Sequence, residues 1–225
     1  MGHKNLLVCF TGIDGSGKTT ISRKLVRSLN DKGFKFKYVY ARINPFISGP
    51  LISIGRWIFL RKRDAFKDYF IYTDAKKKAI KEHIMLSKIY QKILLFDYFL
   101  QVLFKVKFPL VFGESVICDR YIYDTVINDL LIDLNSRNLL NLLNSCLHIF
   151  PKPDIIFLID VSEETAFRRK SDIPSIEYLR ERRKIYLKIG REYKMKILDG
   201  TKEFERLQKE IENEVLNRIN MLTNE

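Results

Sequence analysis

The sequence predicts an α/β domain: a five-stranded parallel sheet covered by helices on both faces. Three observations predict it. Apolar runs of strand length alternate with amphipathic helical stretches along the whole chain, a glycine-rich loop joins the first run to the first helical stretch, and two later runs end in an acidic residue. Strands that alternate with helices in this way pair in parallel through right-handed crossovers.

The first run, Leu6-Leu7-Val8-Cys9-Phe10, reads as a buried strand, and residues 20–32 carry the spacing of a helix. Between them Gly12, Gly17, Lys18 and Thr19 meet the spacing of a nucleotide P-loop. Glycines let the backbone curl so that its N–H groups converge on phosphate oxygens, and the following helix adds the positive end of its dipole. Lys18 supplies a mobile positive charge for the outer phosphates, and the Thr19 hydroxyl is placed to ligate the magnesium ion that accompanies them.

Gly33 ends the first helix, and Phe36-Lys37-Tyr38-Val39-Tyr40-Ala41 reads as the second strand. Arg42 opens a Pro- and Gly-punctuated loop, either as a substrate contact at the carboxyl edge of the sheet or as an exposed loop residue. Residues 51–108 carry helical pattern with no strand signal and form a helical insert, interrupted by Arg61-Lys62-Arg63 and by a polar cluster over residues 73–82. Its most apolar part, residues 84–108, is broken by Lys88, Gln91, Lys92, Asp97, Gln101, Lys105 and Lys107, which fits a buried core helix and not a membrane span.

Glu114-Ser115-Val116-Ile117-Cys118 reads as a third strand that delivers Asp119-Arg120-Tyr121 to the edge carrying the phosphate loop. A carboxylate there can hold magnesium through water, and an adjacent Arg can grip a phosphoryl group in a planar fork. A helix follows to about residue 144, and Lys152-Pro153-Asp154 opens the fourth strand, Ile155-Ile156-Phe157-Leu158-Ile159. Ser162 fits the N-cap of a helix ending at Arg168-Arg169-Lys170; the pattern breaks at residues 171–175 and resumes through Arg183. Two basic helix ends around a polar break read either as a short lid over phosphates, residues 168–178, or as side chains complementing helix dipoles. Met195-Lys196-Ile197-Leu198-Asp199-Gly200 gives the last strand and turn, and an amphipathic helix closes the sequence.

At 225 residues, 46% of them hydrophobic, the chain suits one domain over residues 1–225. The net charge of +13 would attract polyanions, yet basic residues are interleaved with acids throughout, which favours a solvated lysine-rich surface over a nucleic-acid stripe. Cys9, Cys118 and Cys146 are odd in number and lack metal-ligand spacing, so the expectation is reduced thiols in a cytoplasmic setting. The first apolar run is short and passes into the phosphate loop, so neither a secretory signal nor membrane association is expected.

Phe10 to Thr20, the Cys118-Asp119-Arg120-Tyr121 block, residues 153–161 and Arg183-Lys184-Ile185-Tyr186-Leu187 together resemble the thymidylate kinase family. The resemblance implies a P-loop NTPase fold, usually dimeric, that moves the terminal phosphoryl group of ATP to thymidine monophosphate with magnesium. It implies ATP contacts at Gly12, Ile13, Asp14, Gly15, Ser16, Gly17, Lys18, Thr19 and Thr20. Thr19 and Asp119 would hold Mg2+, Asp14 would approach the acceptor's sugar, and Arg120 would hold the acceptor phosphate, giving Lys18, Asp119 and Arg120 catalytic roles. Because Asp14-Gly15-Ser16-Gly17 lacks an Arg, the catalytic lid cation falls to Arg169, with Arg168 and Arg183 as rivals. The helical insert would hold the second substrate.

The acceptor half departs from the family. Arg42 is followed by Ile43-Asn44-Pro45-Phe46 instead of Glu-Pro-Gly, and Tyr98 stands where an Arg usually clamps the acceptor phosphate, while Gln101 matches a side chain sometimes found nearby. Arg42, Tyr98 and Gln101 therefore join Asp14 and Arg120 as expected acceptor contacts. After Tyr121, Asp124-Thr125 and Asn128-Asp129 replace a small hydroxyl pair and an aromatic-Gln pair. Two other readings remain: a deoxynucleoside kinase, with Glu82 or Asp97 as general base, and a P-loop protein acting on nucleic acid through Arg56, Arg61, Lys62 and Arg63.

Overall fold

The computed structural model describes residues 5–44, 48–50, 53, 71, 74, 78, 82–130 and 136–223. Apart from single positions, the expected helices of residues 51–81 and the Arg61-Lys62-Arg63 patch lie outside them.

Five parallel strands form one sheet: β1 (Leu7–Thr11), β2 (Phe36–Tyr40), β3 (Ser115–Asp119), β4 (Ile155–Asp160) and β5 (Lys196–Asp199), in the order β2-β3-β1-β4-β5. The all-parallel α/β architecture expected from the alternation is thus present. β1 is central, and each of its five residues is buried because helices cover both of its faces. From β1 the chain crosses to β2 on one flank and later to β4 on the other. The carboxyl end of β1 is therefore where the strand order switches direction, the place where open parallel sheets bind ligands.

Side-chain alternation sorts the interior into two cores. Val8, Phe10, Ile117 and Phe157 face helix α1 (Lys18–Asp31) and the closing helix, whose Leu207, Ile211 and Val215 complete that layer. Phe10 and Phe157 stack with their ring centroids 5.2 Å apart. Leu7, Cys9 and Cys118 face the other way, toward Tyr98 and Val102 of α2 (Ile84–Val102) and Val106 just beyond it. α2 runs on through a π-helical stretch, Leu103–Lys107, into the short α3 (Phe108–Val111). It buries a single stripe rather than every side, since Met85, Phe96, Phe104 and Phe112 remain exposed.

Behind β3, α4 (Ile122–Thr125) passes into a π-helical turn, Val126–Leu130, before α5 (Ser136–Ile149). The single helix expected there is accordingly broken. α6 (Glu163–Arg169) and α7 (Ile176–Glu192) flank the expected polar break, each capped by a serine: Ser162 accepts from the Thr165 amide and Ser175 from the Tyr178 amide. The closing helix is α8 (Phe204–Thr223). Among the described residues, no helix is long and apolar enough to cross a membrane.

Candidate active site

The loop after β1 is curled by glycines, two of which have no room for a side chain. Gly15 has φ +82°, and a Cβ built on it would lie 2.3 Å from the Ala166 carbonyl oxygen of α6. Gly12 has φ +136°, and its Cβ would lie 2.5 Å from the Ile159 carbonyl oxygen. The loop is thus wedged between β4 and α6. Gly17 caps α1 with no side-chain hydrogen bond, so the first amides of that helix have no capping acceptor.

Lys18 folds back into this curl. Its Nζ donates to the carbonyls of Gly12 at 2.7 Å and Ile13 at 2.6 Å and to Ser16 Oγ at 3.1 Å. Burial, followed by the nearby Arg120 charge, pushes its ammonium down to about 8. An anion placed in the curl would favour the charged form.

β3 brings a second set of groups to the same place. Asp119 pairs in register with Phe10 across the β1–β3 ladder, and Oδ2 of Asp119 accepts from Thr19 Oγ1 at 2.5 Å and from the Tyr38 hydroxyl at 2.9 Å. Its other oxygen, Oδ1, is buried without a hydrogen-bond partner. A buried carboxylate oxygen left over beside a threonine hydroxyl suits a hard cation. Among the described residues, no group of three or more His, Cys, Asp or Glu side chains could hold a metal. This donor set therefore fits magnesium whose remaining ligands are phosphate and water oxygens.

Arg120 follows at φ +70°, an uncommon backbone conformation for a side chain of its size, and its guanidinium lies between Asp14 and Asp124. Burial opposes the charge on Asp14, but the cations Arg120, Lys18, Lys170 and Arg42 outweigh it and hold the carboxyl below its usual value. For Asp124, fully buried, desolvation wins and its carboxyl is raised despite Arg120 and Lys18. Asp124 accepts from Thr11 Oγ1 at 2.8 Å, Tyr186 Oη at 2.9 Å and Arg120 at 3.2 Å. It ties β1, the Asp-Arg turn and α7 together.

A glycine curl with its lysine, a hydroxyl–carboxylate pair and a buried arginine thus converge at the carboxyl edge of β1 and β3. Residues 74–211 match the family model for thymidylate kinase. The chain belongs to the thymidylate kinase family. The matched stretch begins beyond the phosphate loop, so the geometry of that loop is a separate observation. A probable thymidylate kinase of Methanocaldococcus jannaschii is 26% identical over 215 residues, 94% of each chain. One from Archaeoglobus fulgidus is 25% identical over 225 residues, covering 97% of this chain and 99% of its own. The thymidylate kinase of Ligilactobacillus salivarius is 24% identical over 223 residues, 89% and 92% of the two chains. As a member of the thymidylate kinase family the chain is an ATP-dependent phosphotransferase, a nucleoside monophosphate kinase.

In this thymidylate kinase framework the cations around the polar break between α6 and α7 have separate partners. Arg169 donates from both terminal nitrogens to the Gly200 carbonyl at 3.3 Å, which holds it over the turn after β5 and not over the phosphate loop. Arg183 is tied to Asp160 at 2.7 and 2.8 Å and to Glu163 at 2.9 Å. Lys170 stands beside the loop, with Nζ 3.7 Å from Asp14 and 3.3 Å from Asp172.

Of the expected acceptor contacts, Asp14 and Arg120 adjoin each other, and Arg42 stands near them, paired with Asp129 at 3.3 Å. Tyr98 does not reach the cleft surface. It is 1% exposed, and its hydroxyl donates to the Ala41 carbonyl at 3.0 Å, so its polar end is occupied inside the core. Gln101 clasps the backbone of Asn44, accepting from its amide at 3.1 Å and donating to its carbonyl at 2.7 Å. Asp97, one of the two candidate bases for a sugar-hydroxyl kinase, accepts at Oδ2 from both the amide and the hydroxyl of Ser48. Asp124, Lys170, Tyr186 and Tyr38 also belong to the cluster, though the sequence did not mark them as site residues.

Proposed function

We propose that this kinase transfers the γ-phosphoryl group of ATP to thymidine monophosphate, giving ADP and thymidine diphosphate. The observation that carries the reading is the 2.5 Å contact between Thr19 and Asp119, with a partnerless buried oxygen next to it, directly beside the lysine of the phosphate loop. An oxygen of the acceptor phosphate attacks the γ-phosphorus as the bond to the β,γ-bridging oxygen breaks and the electron pair leaves on ADP. No protein nucleophile takes part; positioning and charge neutralisation lower the barrier.

The residues divide that work. Backbone amides of residues 12–17 and the first turn of α1 cradle the phosphates, and Lys18 exchanges its two carbonyl partners for outer phosphate oxygens. Thr19 and Asp119 would hold magnesium, which when bound neutralises charge on the phosphates. Arg120 offers its guanidinium to the acceptor phosphate, which takes over Nη2, the nitrogen facing Asp14, while Nη1 stays on Asp124. Lys170, in place of Arg169, brings the lid's positive charge to the transferring group.

Three buried free thiols support a cytoplasmic setting. A homodimer, implied by the resemblance, would show a molar mass near twice 26.7 kDa in light scattering.

The test is a coupled assay of ADP release with magnesium-ATP against a panel of nucleosides and nucleoside monophosphates. Turnover with thymidine monophosphate and none with nucleosides is the expected result. Turnover with thymidine alone would overturn the reading in favour of a nucleoside kinase.

A further inference from the structure

Tyr38 lies two positions before Tyr40, the residue paired with Asp119 across the β2–β3 ladder, so Tyr38 and Asp119 share one face of the sheet. A tyrosine is long enough to lean along the strand, and the Tyr38 hydroxyl reaches Asp119 Oδ2 at 2.9 Å. The same oxygen accepts from Thr19 at 2.5 Å. Two hydroxyls thus converge on one carboxylate oxygen, and the other, Oδ1, is buried with no partner. The ring is held in turn by α1: the Arg23 guanidinium, one turn beyond Thr19, lies over it at 5.1 Å from the centroid.

We propose that Tyr38 is a positioning residue for the metal-organising carboxylate, fixing the rotamer of Asp119 so that Oδ1 stays available to magnesium or its bound water. The role rests on the magnesium-ATP reading above and adds to it a strand residue outside every motif. Without the hydrogen bond from Tyr38, a carboxylate held by Thr19 alone can turn about its terminal torsion and present either oxygen. The stacked ring does not need the hydroxyl, so a phenylalanine keeps the packing under Arg23.

Binding of ATP to the full chain, measured by calorimetry with and without magnesium chloride, tests this in Tyr38→Phe against the wild type. The expected result is unchanged ATP affinity without metal, and an affinity gain from magnesium that is smaller by about 10-fold in the variant. The magnesium concentration for half-maximal turnover should rise by a similar factor, with KM for the acceptor unmoved. An equal magnesium-dependent gain in both proteins would overturn the role of Tyr38 and leave the kinase reading standing. So would an equal loss of affinity with and without metal, since that marks a structural defect. A wild-type chain with no magnesium-dependent gain would overturn the underlying reading along with this role.

Discussion

Gly15→Ala probes the contact on which the site depends most, the seating of α6 on the phosphate loop. A Cβ there would stand 2.3 Å from the Ala166 carbonyl oxygen and 2.9 Å from its carbon, where ordinary contact begins at 3.4 Å. The loop and α6 must therefore separate by about 1 Å, and both neighbours are backbone, which cannot swing aside. The φ of +82° adds a conformational penalty of about 1–2 kcal/mol. Gly33→Ala is the matched control, because φ is +87° and nothing lies within 4 Å of the added carbon. Urea denaturation should show a loss of about 1–2 kcal/mol for Gly33→Ala, and for Gly15→Ala a further ~1–3 kcal/mol from overpacking. Turnover in Gly15→Ala should fall by about 100-fold, as expected when reacting groups shift by ~1 Å, while Gly33→Ala stays near wild type. Equal stabilities for the two variants would refute the claim that α6 rests on the loop.

Other consequences follow from the buried charges. Asp124→Ala strands the Thr11 and Tyr186 hydroxyls and removes one of two carboxylates from Arg120, so the urea midpoint should report a loss of about 3 kcal/mol with an unchanged slope. Lys170→Met should lower kcat by at least about 10-fold with little change in stability, because the ammonium is 40% exposed and its ion pairs contribute little to folding. The two carboxylates should also respond to pH with opposite sign. Asp14 sits below its ordinary value of 3.8, so the stability that it adds over Asp14→Asn is present above that pH and is lost as pH falls through its depressed value. Asp124 is raised above 3.8, so its ionisation costs stability as pH rises from that value, and the wild type should gain on Asp124→Asn as the solution is acidified. Melting curves from pH 3 to pH 7, a span of about 4 units, would reveal either sign being wrong.

Where local geometry depends on neighbours in sequence, it was legible. The phosphate loop, the Asp-Arg turn and the Ser162 cap each occupy a few consecutive residues, and local backbone geometry suffices to place them. The Asp124 cluster was not, because its partners Thr11 and Tyr186 lie 113 and 62 residues away and meet it only once the sheet and α7 have packed. Which way Arg169 and its neighbour Lys170 face was not legible either. Arg169 ends α6 and points back to Gly200, whereas Lys170 leaves the helix in an extended conformation, φ −146° and ψ 122°, which turns it toward Asp14. Position on a helix likewise did not decide facing for Tyr98, since burial next to Phe150 and the waiting Ala41 carbonyl drew its hydroxyl inward.

The central claim is that Lys18, Thr19, Asp119 and Arg120 work as one cleft on a magnesium-bound triphosphate. Formation of thymidine diphosphate by Asp119→Asn, followed alongside the melting temperature, tests it most directly. A fall in kcat of about 100-fold or more with the fold intact is the predicted result. Wild-type turnover in that variant would contradict the account.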